Sequence, residues 1–156
     1  MNGSKIFFDT CILIDCATTG RIGDDRTRDL HHLANADNVL LTSITVVGEM
    51  VHSSFEKDTF ELDEGIRLLK ELKFKVLFPV QELRDWCVAV DREVDAAGCY
   101  GSSVTDRTHY AYALAASCDF YVTSKGETRT LVAPKKMGGY TEAITLDDLF
   151  YRLKLR

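Results

Sequence analysis

The chain is short of the features that mark a linker, a membrane protein or a disulfide-stapled domain. Two prolines and ten glycines in 156 residues leave little room for low-complexity or linker sequence. No apolar run approaches the roughly 20 residues that a membrane span needs, so no membrane association is expected. The opening Met1-Asn2-Gly3-Ser4-Lys5 lacks the apolar core of a secretory signal, and a cytoplasmic protein is expected. Five cysteines (Cys11, Cys16, Cys87, Cys99 and Cys118) form an odd set without a CxxC pair or the close Cys/His spacing of a structural zinc site. They read as small core or site-edge residues in a reducing compartment. A basic excess is also missing. The formal charge of −5 gives no global attraction for nucleic acid, but it leaves room for a local basic rim around an acidic, metal-filled cleft.

What is present is an ordinary globular composition, 46% hydrophobic and 28% charged, in a length that suits one domain over residues 1–156. Lys5-Ile6-Phe7-Phe8 is an unbroken apolar run of the kind buried on both faces of a parallel sheet. Further strands are expected at Val39 to Thr42, Lys75 to Phe78 (stopped by Pro79), Phe120 to Thr123 and Ala143 to Thr145. Between them, helical patterns run from a cap at Asp24 or Asp25 to Asn35, Ile44 to Ser54, Asp58 to Lys73, Gln81 to Ala97, and Asp106 to Ser117 with Thr105 as cap. Thr10 is expected to start a short apolar turn to Cys16, and a last helix begins at Asp147. Residues 125–139 read as a mobile polar loop. Strands alternating with helices predict a three-layer α/β/α fold with a central parallel sheet.

Ligands of open parallel sheets bind beyond the carboxyl ends of the strands. Asp9 stands at such an end, directly after four residues of strand. Asp106 lies in the first turn of a helix, where capping and the helix dipole already give it a role. Glu49 interrupts an otherwise apolar helix beside Gly48, a residue that costs roughly 1 kcal/mol in a helix interior and leaves room beside the acid. Three converging carboxylates repel one another and need a cation, and the hard-cation expectation is Mg2+ or Mn2+ completed by water and phosphate oxygens. Such an ion suits phosphodiester hydrolysis.

Four segments together resemble the PIN-domain family, best known for the VapC-type toxins of toxin–antitoxin pairs: Phe7-Phe8-Asp9-Thr10-Cys11-Ile12-Leu13-Ile14-Asp15, Ser43-Ile44-Thr45-Val46-Val47-Gly48-Glu49-Met50, Asp106-Arg107-Thr108-His109-Tyr110-Ala111-Tyr112-Ala113 and Cys118-Asp119-Phe120-Tyr121-Val122-Thr123-Ser124. Their order and spacing follow the family over nearly the whole chain. The resemblance implies a PIN fold, an acidic Mg2+ or Mn2+ site, and endonucleolytic cleavage of RNA, single-stranded by expectation. It also implies a small antitoxin partner and a homodimer. Asp9, Glu49 and Asp106 fall on the family's first three acids.

The fourth acid is missing. Where the family commonly has Thr-x-Asp, this chain reads Thr123-Ser124-Lys125, and Cys11 stands where Asn is frequent. Three readings stay open: three acids hold one metal with help from Thr123 or Ser124, Glu127 swings in as a replacement, or the module binds RNA or protein without cleaving. A phosphate- or nucleotide-binding domain is a further alternative, disfavoured because no glycine-rich loop follows the first strand.

Asp15 is a candidate for the cleft edge or a solvated turn, and Asp119 reads as structural because it begins a strand. His31 and His32 read as surface residues. His52 is spaced to reach Glu49 but is better read as ordinary helix packing, and His109 as a hydrogen-bonded core-edge residue. Arg129, Lys135 and Lys136 are the candidate RNA-backbone contacts, with Arg152, Lys154 and Arg156 as a possible extension of the rim.

Overall fold

The computed structural model describes residues 3–56 and 60–155. Strand β1 (Lys5–Phe8) carries Ile6, Phe7 and Phe8 with no exposed surface, as the unbroken apolar run predicts. It lies in the middle of a wholly parallel sheet between β2 (Val39–Ser43) and β4 (Phe120–Val122). β3 (Lys75–Leu77) pairs with β2, and β5 (Glu142–Ile144) pairs with β4. The order is β3-β2-β1-β4-β5. Phe7 is in register with Leu41 on one side and Tyr121 on the other. Its ring stacks on that of Tyr121 at 5.6 Å, and Tyr110 meets Tyr121 edge-on at 5.4 Å.

This order creates a switch point. From β1 the chain moves outward through β2 and β3, then returns to the other side of β1 as β4 and β5. Connections leaving β1 and β4 therefore diverge, and a crevice opens beyond their carboxyl ends.

Eight helices among the described residues flank the sheet in the expected three layers. α1 (Thr10–Cys16), α2 (Arg21–Asn35), α3 (Ile44–Glu56) and α4 (Leu62–Glu71) form one contacting set. α5 (Leu83–Ala96) packs against α6 (Val104–Ala115), which also touches β4. α7 (Lys125–Thr128) follows β4, and α8 (Leu146–Arg152) follows β5.

Several expected boundaries change for local reasons. α2 begins at Arg21 rather than after Asp24 or Asp25, because Gly20, at φ 105°, turns the chain into the helix and leaves Asp24 in its first turn. α6 is capped by Ser103, not Thr105: the Ser103 hydroxyl accepts the Asp106 N–H while Asp106 Oδ2 accepts the Ser103 N–H. α8 starts at Leu146 with Thr145 as its cap. The expected start of α4 at Asp58 lies outside the described residues, as does Arg156.

The expected mobile loop over residues 125–139 is the clearest correction. Ser124 caps α7 by accepting the Glu127 N–H, Leu131 is buried, and Lys135–Met137 forms a 3-10 turn. A polar composition concealed a segment pinned by a cap and by the apolar anchors Leu131, Ala133 and Pro134.

Gly23 is required by a close approach, since a Cβ there would sit 1.8 Å from the Thr18 carbonyl oxygen. Gly23→Ala must therefore move the α1–α2 turn and is expected to cost on the order of 2 kcal/mol. A lowered urea midpoint at unchanged m would show this, and an unchanged midpoint would contradict it.

Candidate active site

The site grows from the end of β1. Three buried residues carry the chain to Asp9, whose backbone N–H still bonds the Val122 carbonyl of β4. Asp9 is thus both the last residue held by the sheet and the cap of α1. Its Oδ1 accepts the Thr10 N–H at 2.7 Å. Only 3% of its surface is exposed, a costly position for a carboxylate without partners.

Two further groups meet that cost. His109, on the buried stretch of α6, brings Nδ1 to 2.9 Å from Asp9 Oδ1. The Thr123 hydroxyl, just after β4, donates to Asp9 Oδ2 at 2.7 Å. Burial alone would raise the Asp9 pKa, but the hydrogen bond and attraction of His109, with the bonds from Glu127 and Thr123, bring it down to about 2.

The other acids come from three directions. Ser43 caps α3, taking the Val46 N–H at 3.3 Å, and sets the helix phase that brings Glu49 to the cleft. Glu49 Oε2 accepts the Thr10 hydroxyl and lies 3.6 Å from His109 Nε2. Asp106, held by its reciprocal cap with Ser103, projects from the first turn of α6. Glu127, inside α7, turns its carboxylate back onto the Thr123 hydroxyl. Asp9, Glu49, Asp106 and Glu127 line one open cleft of about 650 Å³ with Thr10, Cys11, Thr45 and Gly48. No atom lies within 4 Å of where a Gly48 Cβ would stand, so this glycine leaves open space beside Glu49.

Fourth-position geometry follows from α7. Lys125 is its exposed first residue, and Glu127, two positions on, enters the cleft. Thr123 has one hydroxyl hydrogen and two carboxylate neighbours, so one contact needs a proton on an acid or a cation between them. Glu127 shows this tension. Burial and the adjacent Asp9 and Asp106 raise its pKa from 4.5 to about 7, against the Thr123 hydrogen bond that lowers it.

The donor set fits a divalent cation. Asp9, Cys11 and Glu127 each offer a ligand atom within 4.8 Å of the others. His109 Nε2 is buried, has no hydrogen-bond partner and faces Glu49. Glu49 and Asp106 stand further round the same cleft rather than in that tight group.

Three solved structures share this architecture. VapBC2 from Rickettsia felis, bound to a DNA fragment from its promoter, superposes with a TM-score of 0.68 at 12% identity, over 90% of this chain and 98% of that one. VapBC-1 from nontypeable Haemophilus influenzae gives 0.62 at 14% identity, over 92% and 98%. The chain has the PIN fold of the VapC proteins. VapC20 of Mycobacterium tuberculosis, a sarcin–ricin loop cleaving toxin, agrees at 0.54 and 15% identity, over 81% and 96%. No protein-family model matches the sequence, and no curated protein matches it.

On this PIN fold, the other candidates take plain positions. Arg129, Lys135 and Lys136 are exposed beyond β4 and do not line the cleft. His52 is exposed at the rim with Nδ1 3.7 Å from Glu56, and makes no bond to Glu49. Asp15 is exposed, and Asp119 accepts the Lys5 N–H at 2.8 Å, fixing the start of β1. His31 pairs with Glu71 at 3.6 Å, and His32 lies exposed against the Phe150 ring. Sequence reading undervalued His109. Its signal was a lone histidine within a Tyr/Ala-rich helix one turn after an acid.

Without metal, the raised Glu127 pKa makes folding bind a proton that the unfolded chain has already lost between pH 4.5 and about 7. Stability therefore falls as pH rises through that window. Glu127→Gln is expected to flatten this slope in chelator-treated protein, measured by urea titration across the range. A slope retained in the variant would refute the assignment.

Proposed function

We propose that this protein is a metal-dependent endoribonuclease that hydrolyses RNA phosphodiesters, acting as the toxin of a toxin–antitoxin pair. The meeting of Asp9, Glu49, Asp106 and Glu127 around one open cleft at the sheet's switch point carries this reading. These acids would hold Mg2+ or Mn2+, which when bound lowers the pKa of a water and offsets phosphoryl charge.

The chain's own residues supply position. His109 and Thr123 hold the two oxygens of Asp9, fixing its carboxylate in one orientation. The Thr10 hydroxyl fixes Glu49, and the Ser103 cap fixes Asp106. No lysine or arginine lines the cleft among the described residues, so an RNA phosphate finds its positive partner there only in a bound cation. Lys125, Arg129, Lys135 and Lys136 form the exposed basic segment nearest in sequence to the fourth acid, suited to holding the RNA backbone without reading its sequence.

A non-cleaving module was motivated by Lys125 in place of an acid. Glu127 weakens that motive, because a carboxylate occupies the cleft regardless. The VapBC2 and VapBC-1 structures support an antitoxin partner, and VapC20, by its sarcin–ricin loop cleavage, supports RNA as substrate. No described helix is long and apolar enough to cross a membrane, and a cytoplasmic site of action is part of the proposal. A homodimer remains part of the proposal through the family resemblance.

Purified protein incubated with labelled single-stranded RNA is expected to cut it with Mg2+ or Mn2+ and not with chelator. Asp9→Asn or Glu49→Gln is expected to slow cutting by at least ~100-fold, because each removes charge worth several kcal/mol in the transition state. RNA retention without cutting by the wild-type protein would overturn the nuclease reading in favour of a binding module.

A further inference from the structure

We infer that the Cys11 thiol is a metal ligand, so that the centre of Asp9, Cys11 and Glu127 takes a thiophilic divalent cation such as Zn2+ or Co2+ far more tightly than an all-oxygen site would. This rests on reading the cleft as a metal centre, but not on RNA cleavage.

The second residue of α1 follows Asp9 by two positions, and its side chain lines the same cleft. Cys11 Sγ lies 3.8 Å from Asp9 Oδ2 and 3.9 Å from the Thr123 hydroxyl. A tetrahedral metal with a sulfur bond of about 2.3 Å and an oxygen bond of about 2.1 Å separates those two ligand atoms by about 3.6 Å. Observed spacing is thus close to what such an ion needs, before any side chain moves. Glu127 supplies the third atom, within 4.8 Å of both others.

A second observation concerns His109, which bonds Asp9 and faces Glu49. His109 is 1% exposed, its Nδ1 is taken by Asp9, and its Nε2 faces Glu49 at 3.6 Å without a hydrogen bond. Carboxylate ligands alone select hard ions, whereas a thiolate shifts preference toward zinc and cobalt. Zn2+ also stands above Mn2+ in intrinsic affinity for mixed donor sets.

Binding is a proton exchange. The thiol S–H bond breaks, a sulfur–metal bond forms from the same electron pair, and the proton leaves to solvent.

Chelator-stripped protein titrated with Co2+ alone tests this. Wild type is expected to develop a near-ultraviolet thiolate-to-cobalt charge-transfer band that is absent from Cys11→Ser and Cys11→Asn. By calorimetry, those variants are expected to bind Zn2+ ~10- to 100-fold more weakly, while Mg2+ affinity changes by less than about threefold. Two variants guard against one of them misfolding, read by circular dichroism. No band in wild type, or a band surviving in both folded variants through Cys16, Cys87, Cys99 or Cys118, would overturn the inference. Equal losses for Zn2+ and Mg2+ would also overturn it. A cobalt band without RNA cleavage would sink the nuclease reading alone, and cleavage without the band would sink this one alone.

Discussion

The structure turns on one buried carboxylate. Asp9 would have to be ionised to serve the proposed cation, yet it lies where ionisation is penalised. His109 Nδ1, the Thr10 N–H and the Thr123 hydroxyl resolve the conflict by taking its two oxygens. Each of these groups comes from a different element: α6, the first turn of α1 and the end of β4. Packing α6 against the sheet and docking β4 beside β1 are therefore also the acts that assemble the site. Because a buried ion pair is weak evidence of net stability, the arrangement is better understood as fixing one carboxylate orientation than as strengthening the fold.

The same constraint explains the neighbouring acids. With Asp9 held in its charged form, Glu127 answers by retaining its proton to higher pH. Glu49 stays near His109 and the Thr10 hydroxyl rather than joining the tight group. Asp106 is tethered to its own cap. Within the cleft the negative charges are spread apart, and repulsion is eased by the proton that Glu127 retains. On the proposed reading, a divalent cation would replace that proton and relieve the same repulsion.

Much of this was legible in the sequence, for physical reasons. A strand buried on both faces cannot alternate, so Ile6-Phe7-Phe8 announced the central position of β1, and Asp9 its carboxyl end. Glu49 and Asp106 were ambiguous as isolated residues, and the family resemblance singled them out; both line the cleft. Less visible were features decided by tertiary pairing. One local feature was also missed: Thr105 was read as the cap of α6, although Ser103 followed three residues later by Asp106 is the spacing of a reciprocal cap. The segment after Thr123 looked like a loop because its apolar anchors, Leu131, Ala133 and Pro134, lie beyond a four-residue helix too short to show periodicity. Glu127 was open as a substitute acid because no local pattern says which way a side chain in such a segment turns. His109 looked ordinary because only the fold brings it across 100 positions to Asp9.

Charge places one further requirement on any activity. Under the proposed function, a protein of net charge −5 would present RNA with a cleft lined by four carboxylates, while its basic residues in 125–136 stand outside it. Two like charges 4 Å apart at an effective dielectric of 20 repel by about 4 kcal/mol, enough to hold a phosphate away from any one of these acids. An exposed basic rim would capture the RNA backbone, while the cleft itself, lined by no lysine or arginine among the described residues, offers a phosphate no positive partner. Under the proposed nuclease function, the cation would have to arrive before the scissile phosphate does, so loading the centre would be a condition for seating the substrate as well as for cleaving it.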